Sequence, residues 1–89
     1  MERQPNPVDV ICLCSACGEI RPLRLRIEDP EQRLRRLDIC EVVSVRKASY
    51  VGAESMVFLC RAAEEGAVCL VELRYILRNH SWQLIRMVN

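Results

Sequence analysis

Apolar and polar residues alternate along this chain in short runs, and the period is two. The clearest run sets Leu23, Leu25 and Ile27 against Arg24, Arg26 and Glu28, the signature of a half-buried β-strand. Pro22 lacks an amide proton, which places the start of that strand at a sheet edge. An earlier apolar run, 8–14, ends at Ser15-Ala16-Cys17-Gly18, a hairpin turn with Gly18 free to take positive φ. A third run spans 34–50. Leu37 and Ile39 oppose Asp38 and Cys40, and the adjacent Val42 and Val43 break the alternation, which predicts a bulge or bend. In the fourth run, 55–62, Met56, Phe58 and Cys60 alternate with Val57, Leu59 and Arg61. Both sets are mostly apolar, so this strand is central and buried on two faces. Glu64-Glu65-Gly66 is the next hairpin turn. The fifth run, 67–77, puts Cys69, Val71, Leu73, Tyr75 and Leu77 on one side and Glu72 and Arg74 on the other. Arg78-Asn79-His80-Ser81 turns the chain, with Asn79 suited to the left-handed region, and a sixth run, 82–88, ends the series.

One stretch reads two ways. Asp29-Pro30-Glu31-Gln32 supplies a cap, a proline at a first helical position and a capping-box glutamine, which would start a helix of at most two turns within 30–37. The same residues form a type I turn, and we take the turn as the expectation. Six strands joined by short turns must manage their edges. A bent antiparallel sheet or small barrel of five to six strands does so, and we expect an all-β domain of SH3-like or Sm-like scale. Its expected core is Leu23, Leu25, Ile27, Ile39, Val43, Val45, Phe58, Leu73, Tyr75 and Trp82. Residues 1–7 read as a disordered tail and 8–89 as the single domain. Edges left open would let two copies pair as a homodimer.

Composition narrows the picture. With 89 residues, the chain has room for one core. At 51% hydrophobic and 28% charged it is globular, and it has no apolar run approaching the roughly 20 residues of a membrane span. The polar, proline-containing 1–7 is unlike a secretory signal, so the expectation is a cytoplasmic protein with no membrane role. The lone His80 sits in a turn, no paired acid and base can be placed, and Gly18, Gly52 and Gly66 are isolated, so no phosphate loop is formed. An enzyme is not expected.

Two sets of residues carry candidate chemistry. Six cysteines make the chain cysteine-rich, and without a signal they are expected as thiols. Cys12, Cys14 and Cys17 have a spacing that can wrap a zinc ion, with a fourth ligand from Cys40, Cys60, Cys69 or His80. The alternative is that the thiols hold nothing, and that those inside strands act as small hydrophobes. The second set is Arg21, Arg24, Arg26, Arg33, Arg35 and Arg36. Against Glu28, Asp29 and Glu31, residues 21–36 carry net +3, whereas 51–72 carries net −3. An arginine face on paired strands could contact the phosphates of nucleic acid. Its competing reading is a sheet face kept soluble by arginine. The total charge of +1 argues against a strongly nucleic-acid-seeking domain.

The segment Gly18-Glu19-Ile20-Arg21-Pro22-Leu23-Arg24-Leu25-Arg26, followed by Arg36-Leu37-Asp38-Ile39, resembles short, uncharacterised bacterial all-β proteins with a GEI-x-P-x-R strand, a hairpin and a basic-apolar-Asp strand. The chain is also similar to the Sm-like barrels of WYL-type domains; their Trp-Tyr-Leu signature is absent, and Ser81-Trp82-Gln83-Leu84 is only a loose echo of it. The resemblance implies a bacterial all-β barrel and brings no activity or site residue with it. The expectation is a non-enzymatic binding or accessory module. Its partner is nucleic acid through the arginine face, a second copy, or another protein, and zinc at Cys12, Cys14 and Cys17 is the structural alternative.

Overall fold

The alternating runs become strands in the computed structural model, which describes residues 6–88 (the backbone alone at Asn6). The strands are β1 (Asn6–Pro7), β2 (Asp9–Cys14), β3 (Ile20–Glu28), β4 (Leu34–Tyr50), β5 (Ala53–Glu64), β6 (Ala67–Ile76) and β7 (Ser81–Val88). They form one antiparallel sheet in the order β1-β7-β6-β5-β4-β3-β2. β1 and β2 are two arms of one segment bent at Val8. Its first arm pairs with β7, Asn6 opposite Leu84 and Pro7 opposite Gln83, and its second arm pairs with β3. The Val8 amide also donates to the Trp82 carbonyl at 3.2 Å. The six-strand meander therefore curls until its ends meet over a few residues, which makes a half-barrel. Of the expected tail, Asn6 and Pro7 lie in the sheet and residues 1–5 lie outside the described residues.

Local chemistry fixes the turns. Val51 and Gly52 take φ of 50° and 78°, and Glu65 and Gly66 take 50° and 85°, so both two-residue hairpins have positive φ at both centres, as a type I′ turn needs. Between β3 and β4, the Asp29 carboxylate accepts from the amides of Glu31 and Arg33, each at 2.9 Å. That is a side-chain-closed turn, and no helix forms at 30–37. After β6 the left-handed position falls on His80, φ 56°, and not on Asn79. Asn79 instead uses its side-chain oxygen to accept from the Ser81 amide and hydroxyl.

The core lies on the concave face. Leu25, Ile27, Leu37, Phe58, Cys60, Ala62, Val71, Leu73, Tyr75 and Trp82 form one cluster. Trp82 sits between Phe58 and Tyr75, with ring centroids 5.4 and 4.8 Å away. β5 is buried on both faces, because Ser55 and Val57 on its convex side are each 2% exposed. Arg74 helps cover that side, its guanidinium 4.2 Å from the centroid of the Tyr50 ring.

Three expected core residues are not in the core: Leu23, Val43 and Val45 are 40%, 43% and 45% exposed. Bulges explain the first two. Ile11 pairs with Arg24 and Cys12 with Pro22, so Leu23 is the extra residue and Pro22 faces inward in its place. On β4 the extra residues are Cys40 and Val43, as the broken alternation at Val42 and Val43 predicts for the second. Val45 pairs with inward-facing Phe58. It stays exposed because β3 pairs with β4 only through Asp38, leaving the edge of β4 uncovered beyond that point. Ile39 is half-buried for the same reason.

Candidate functional site

Two features emerge: a strand edge on β2 and an arginine-bearing face on β3 and β4. β2 pairs with β3 on one side only, so from Val10 to Cys14 its other edge is unpaired within the described sheet. The five residues are uncharged. Ile11 and Leu13 are 58% and 53% exposed on the convex side. Cys12 and Cys14 point to the concave side, opposite the inward-facing Pro22 and Ile20, and are exposed because the half-barrel is open there. β4 has a second uncovered edge beyond Asp38, but Glu41, Arg46 and Lys47 stand on it. Charged residues of this kind discourage edge-to-edge pairing.

The Cys12, Cys14 and Cys17 cluster is not a preformed metal site. All three thiols are exposed. Among the described residues no three Cys, His, Asp or Glu side chains are placed to hold a metal ion. Ser15 organises the turn between them, its hydroxyl accepting from the Cys17 and Glu19 amides. Cys40, the extra residue of a β4 bulge, is exposed too. Cys60 is fully buried, and burial pushes its thiol up to about 11. Cys69 is half-buried and raised by the same cause, helped by Glu64. His80 is exposed, and its Nδ1 lies 2.7 Å from the Tyr75 hydroxyl. Burial raises the Tyr75 phenol.

Of the six arginines expected to form a phosphate-contacting face, three are hydrogen-bonded to carboxylates and a fourth only approaches one. Arg24 bonds Asp38 at 2.6 Å and Arg26 bonds Asp9 at 2.5 Å. Arg33 lies 3.9 Å from Glu31. Arg35 makes two bonds to Glu64, 2.8 and 2.6 Å. Glu64 raises Arg35 further, and Arg35 holds the Glu64 carboxyl below the usual range. Arg21 and Arg36 have no ion pair among the described residues. Arg24, Arg26 and Arg36 share the convex face, whereas Arg35 is paired with inward-facing Ile27 and so turns to the other. Tyr50, the nearest aromatic in sequence, is under Arg74 and not beside these arginines.

Sequence reasoning missed the carboxylate partners and the bare edge. Asp9 and Asp38 become visible only once the strand register is known. Glu64 lies 29 residues from Arg35. The edge had a signal, five consecutive uncharged residues beside a turn, but which strand lies outermost is a property of the topology. No helix among the described residues is long and apolar enough to cross a membrane. Comparison with family models, curated proteins and solved structures finds no match to this chain.

Proposed function

We propose that this protein is a non-enzymatic interaction domain that assembles with a second copy of itself through the free edge of β2. The observation that carries the reading is the run from Val10 to Cys14, uncharged, unpaired on one side, with Ile11 and Leu13 more than half exposed. Such an edge presents a row of backbone donors and acceptors to another strand. The run is also self-complementary. Antiparallel pairing about a two-fold axis at Cys12 sets Ile11 against Leu13 of the second copy and Val10 against its Cys14, and no charge meets an apolar group. The other open edges, along β4 beyond Asp38 and along β7 from Ile85 to Val88, carry charges that oppose pairing (Glu41, Arg46, Lys47 and Arg86), which leaves β2 as the favoured seam. Four exposed thiols fit a reducing compartment such as the cytoplasm. Contact with nucleic acid is less favoured, because carboxylates already hydrogen-bond three of the six arginines.

Sedimentation equilibrium in reductant tests the proposal, from about 10 µM to about 1 mM, the range suited to a small interface. The expected result is a reversible monomer–dimer equilibrium for the natural chain. Leu13→Lys is expected to be monomeric throughout with an unchanged far-ultraviolet spectrum. A natural chain that stays monomeric across the range, or a Leu13→Lys chain that dimerises equally well, would overturn the reading.

A further inference from the structure

We infer that the convex surface of β2, β3 and β4 carries a groove for a small organic anion, with Arg26 and Arg36 as the pair that grips its carboxylate or phosphate group. The strand register sets Arg26 directly opposite Arg36. Like charges at cross-strand spacing repel one another. Asp9, opposite Arg26 on the other side, relieves only Arg26. Arg24 is matched by Asp38. Three guanidinium groups thus share two carboxylates, and Arg36 is exposed and without an ion pair among the described residues.

These groups border a groove of about 320 Å³ lined by the Ile11 side chain and by Val10 and Leu25, whose side chains turn to the core. That volume lies at the small end for ligand sites, which combine an apolar lining with a few convergent polar groups. Two guanidinium forks on adjacent strands suit a group with two or more acceptor oxygens, since arginine binds carboxylate and phosphate through paired N–H donors. An apolar body would rest against Ile11. The anion completes the charge balance that the register leaves open. A nucleic-acid strand fits less well: the groove has one uncompensated positive charge and no aromatic ring for a base to stack on.

Asp9 competes with the ligand for Arg26, so removing its charge strengthens binding at this groove. Glu41, paired with Arg61 elsewhere on the surface, is the control. The groove lies on the face of β2 and the proposed dimer on its edge, and the two share only Val10 and Ile11, so the inference does not depend on self-association.

The test is a 1H–15N NMR titration with phenyl phosphate, benzoate and, at matched ionic strength, sodium chloride. It is run on the natural chain and on Leu13→Lys, which separates groove binding from dimerisation. The expected result is saturable shifts at residues 9–11, 24–26 and 36 with one or both organic anions and none with chloride. The stronger ligand of the two identifies phosphate or carboxylate as the preferred head group. Arg36→Gln should weaken binding about tenfold or more, the scale of a lost charge-assisted hydrogen bond. Asp9→Asn should strengthen it and Glu41→Gln leave it unchanged. Shifts that do not saturate or that spread over Arg33, Arg46 and Arg86 would overturn the inference. So would an Arg36→Gln chain that binds like the natural one, or an oligonucleotide that displaces phenyl phosphate at lower concentration.

Discussion

At the scale of single residues, burial and pairing sort groups that look alike in the sequence. The six cysteines divide into four exposed thiols, one half-buried and one fully buried. A thiolate is the reactive form, and burial has moved Cys60 up to about 11. With iodoacetamide at mildly alkaline pH and low protein concentration, Cys12, Cys14, Cys17 and Cys40 should be modified first, Cys69 slowly, and Cys60 only in denaturant. Peptide mass spectrometry over time reads the order; early modification of Cys60 would mean that β5 opens readily. The Arg35–Glu64 pair makes a second prediction. Glu64 is held below its ordinary range by Arg35 when folded, so the stability it lends is present above its unfolded pKa, roughly 4.3, and lost as pH falls through the folded value. Glu64→Gln should cost about 1 kcal/mol near neutrality, as expected for a two-bond, partly exposed pair. The natural chain should then lose its advantage in denaturant midpoints progressively as pH falls below the ordinary carboxyl value of about 4.3. An advantage that persists to the acid end would remove Glu64 as the cause. The arginine cluster was legible as a count of charges. Its neutralisation was not, because each partner except Glu31 arrives from a different strand.

At the scale of elements, the alternation located every main strand, and two of the three core errors, Leu23 and Val43, fall where the phase of alternation slips. One extra residue in a strand reverses which side chains face the core. Leu23 is such a residue, and it leaves Pro22 inside and Leu23 outside. Val43 is another, and there the adjacent valines of the sequence did announce the bulge. Nothing comparable marks Leu23, whose neighbours keep a regular pattern. Val45 faces inward by register, yet no strand lies over it. These differences have a measurable consequence. Leu25 is 1% exposed and Val45 is 45% exposed. Leu25→Ala should therefore destabilise the domain by about 2–5 kcal/mol. Val45→Ala should cost less than about 1 kcal/mol, as for surface changes. Urea unfolding followed by the fluorescence of Trp82 measures both, and equal losses would mean that β3 covers β4 over more of its length.

At the scale of the whole molecule, the open edges define how copies can meet. A chain with one adhesive edge forms closed two-fold pairs, because each seam uses the same surface on both copies. A chain with two adhesive edges can add copies without limit. Among the described residues the two longest uncovered edges are at β2 and along β4 beyond Asp38, the second kept apart by Glu41, Arg46 and Lys47, and a shorter one along β7 from Ile85 to Val88 carries Arg86. Glu41 is engaged by Arg61, but the two basic residues have little other work to do at that edge: Lys47 is exposed and Arg46 only approaches Glu72, at 3.9 Å. Replacing both, as Arg46→Thr with Lys47→Val, should leave the fold intact, since the strand propensity of β4 rises. It should also change the assembly. Light scattering should show the natural chain reaching a plateau at the dimer, whereas the double variant grows in mass with concentration and precipitates. Adding Leu13→Lys to that variant returns one guarded edge and should restore a finite dimer, now joined through β4. Precipitation that persists in the triple variant would place the cause away from the edges and would show that β2 is not one of the two surfaces through which copies add.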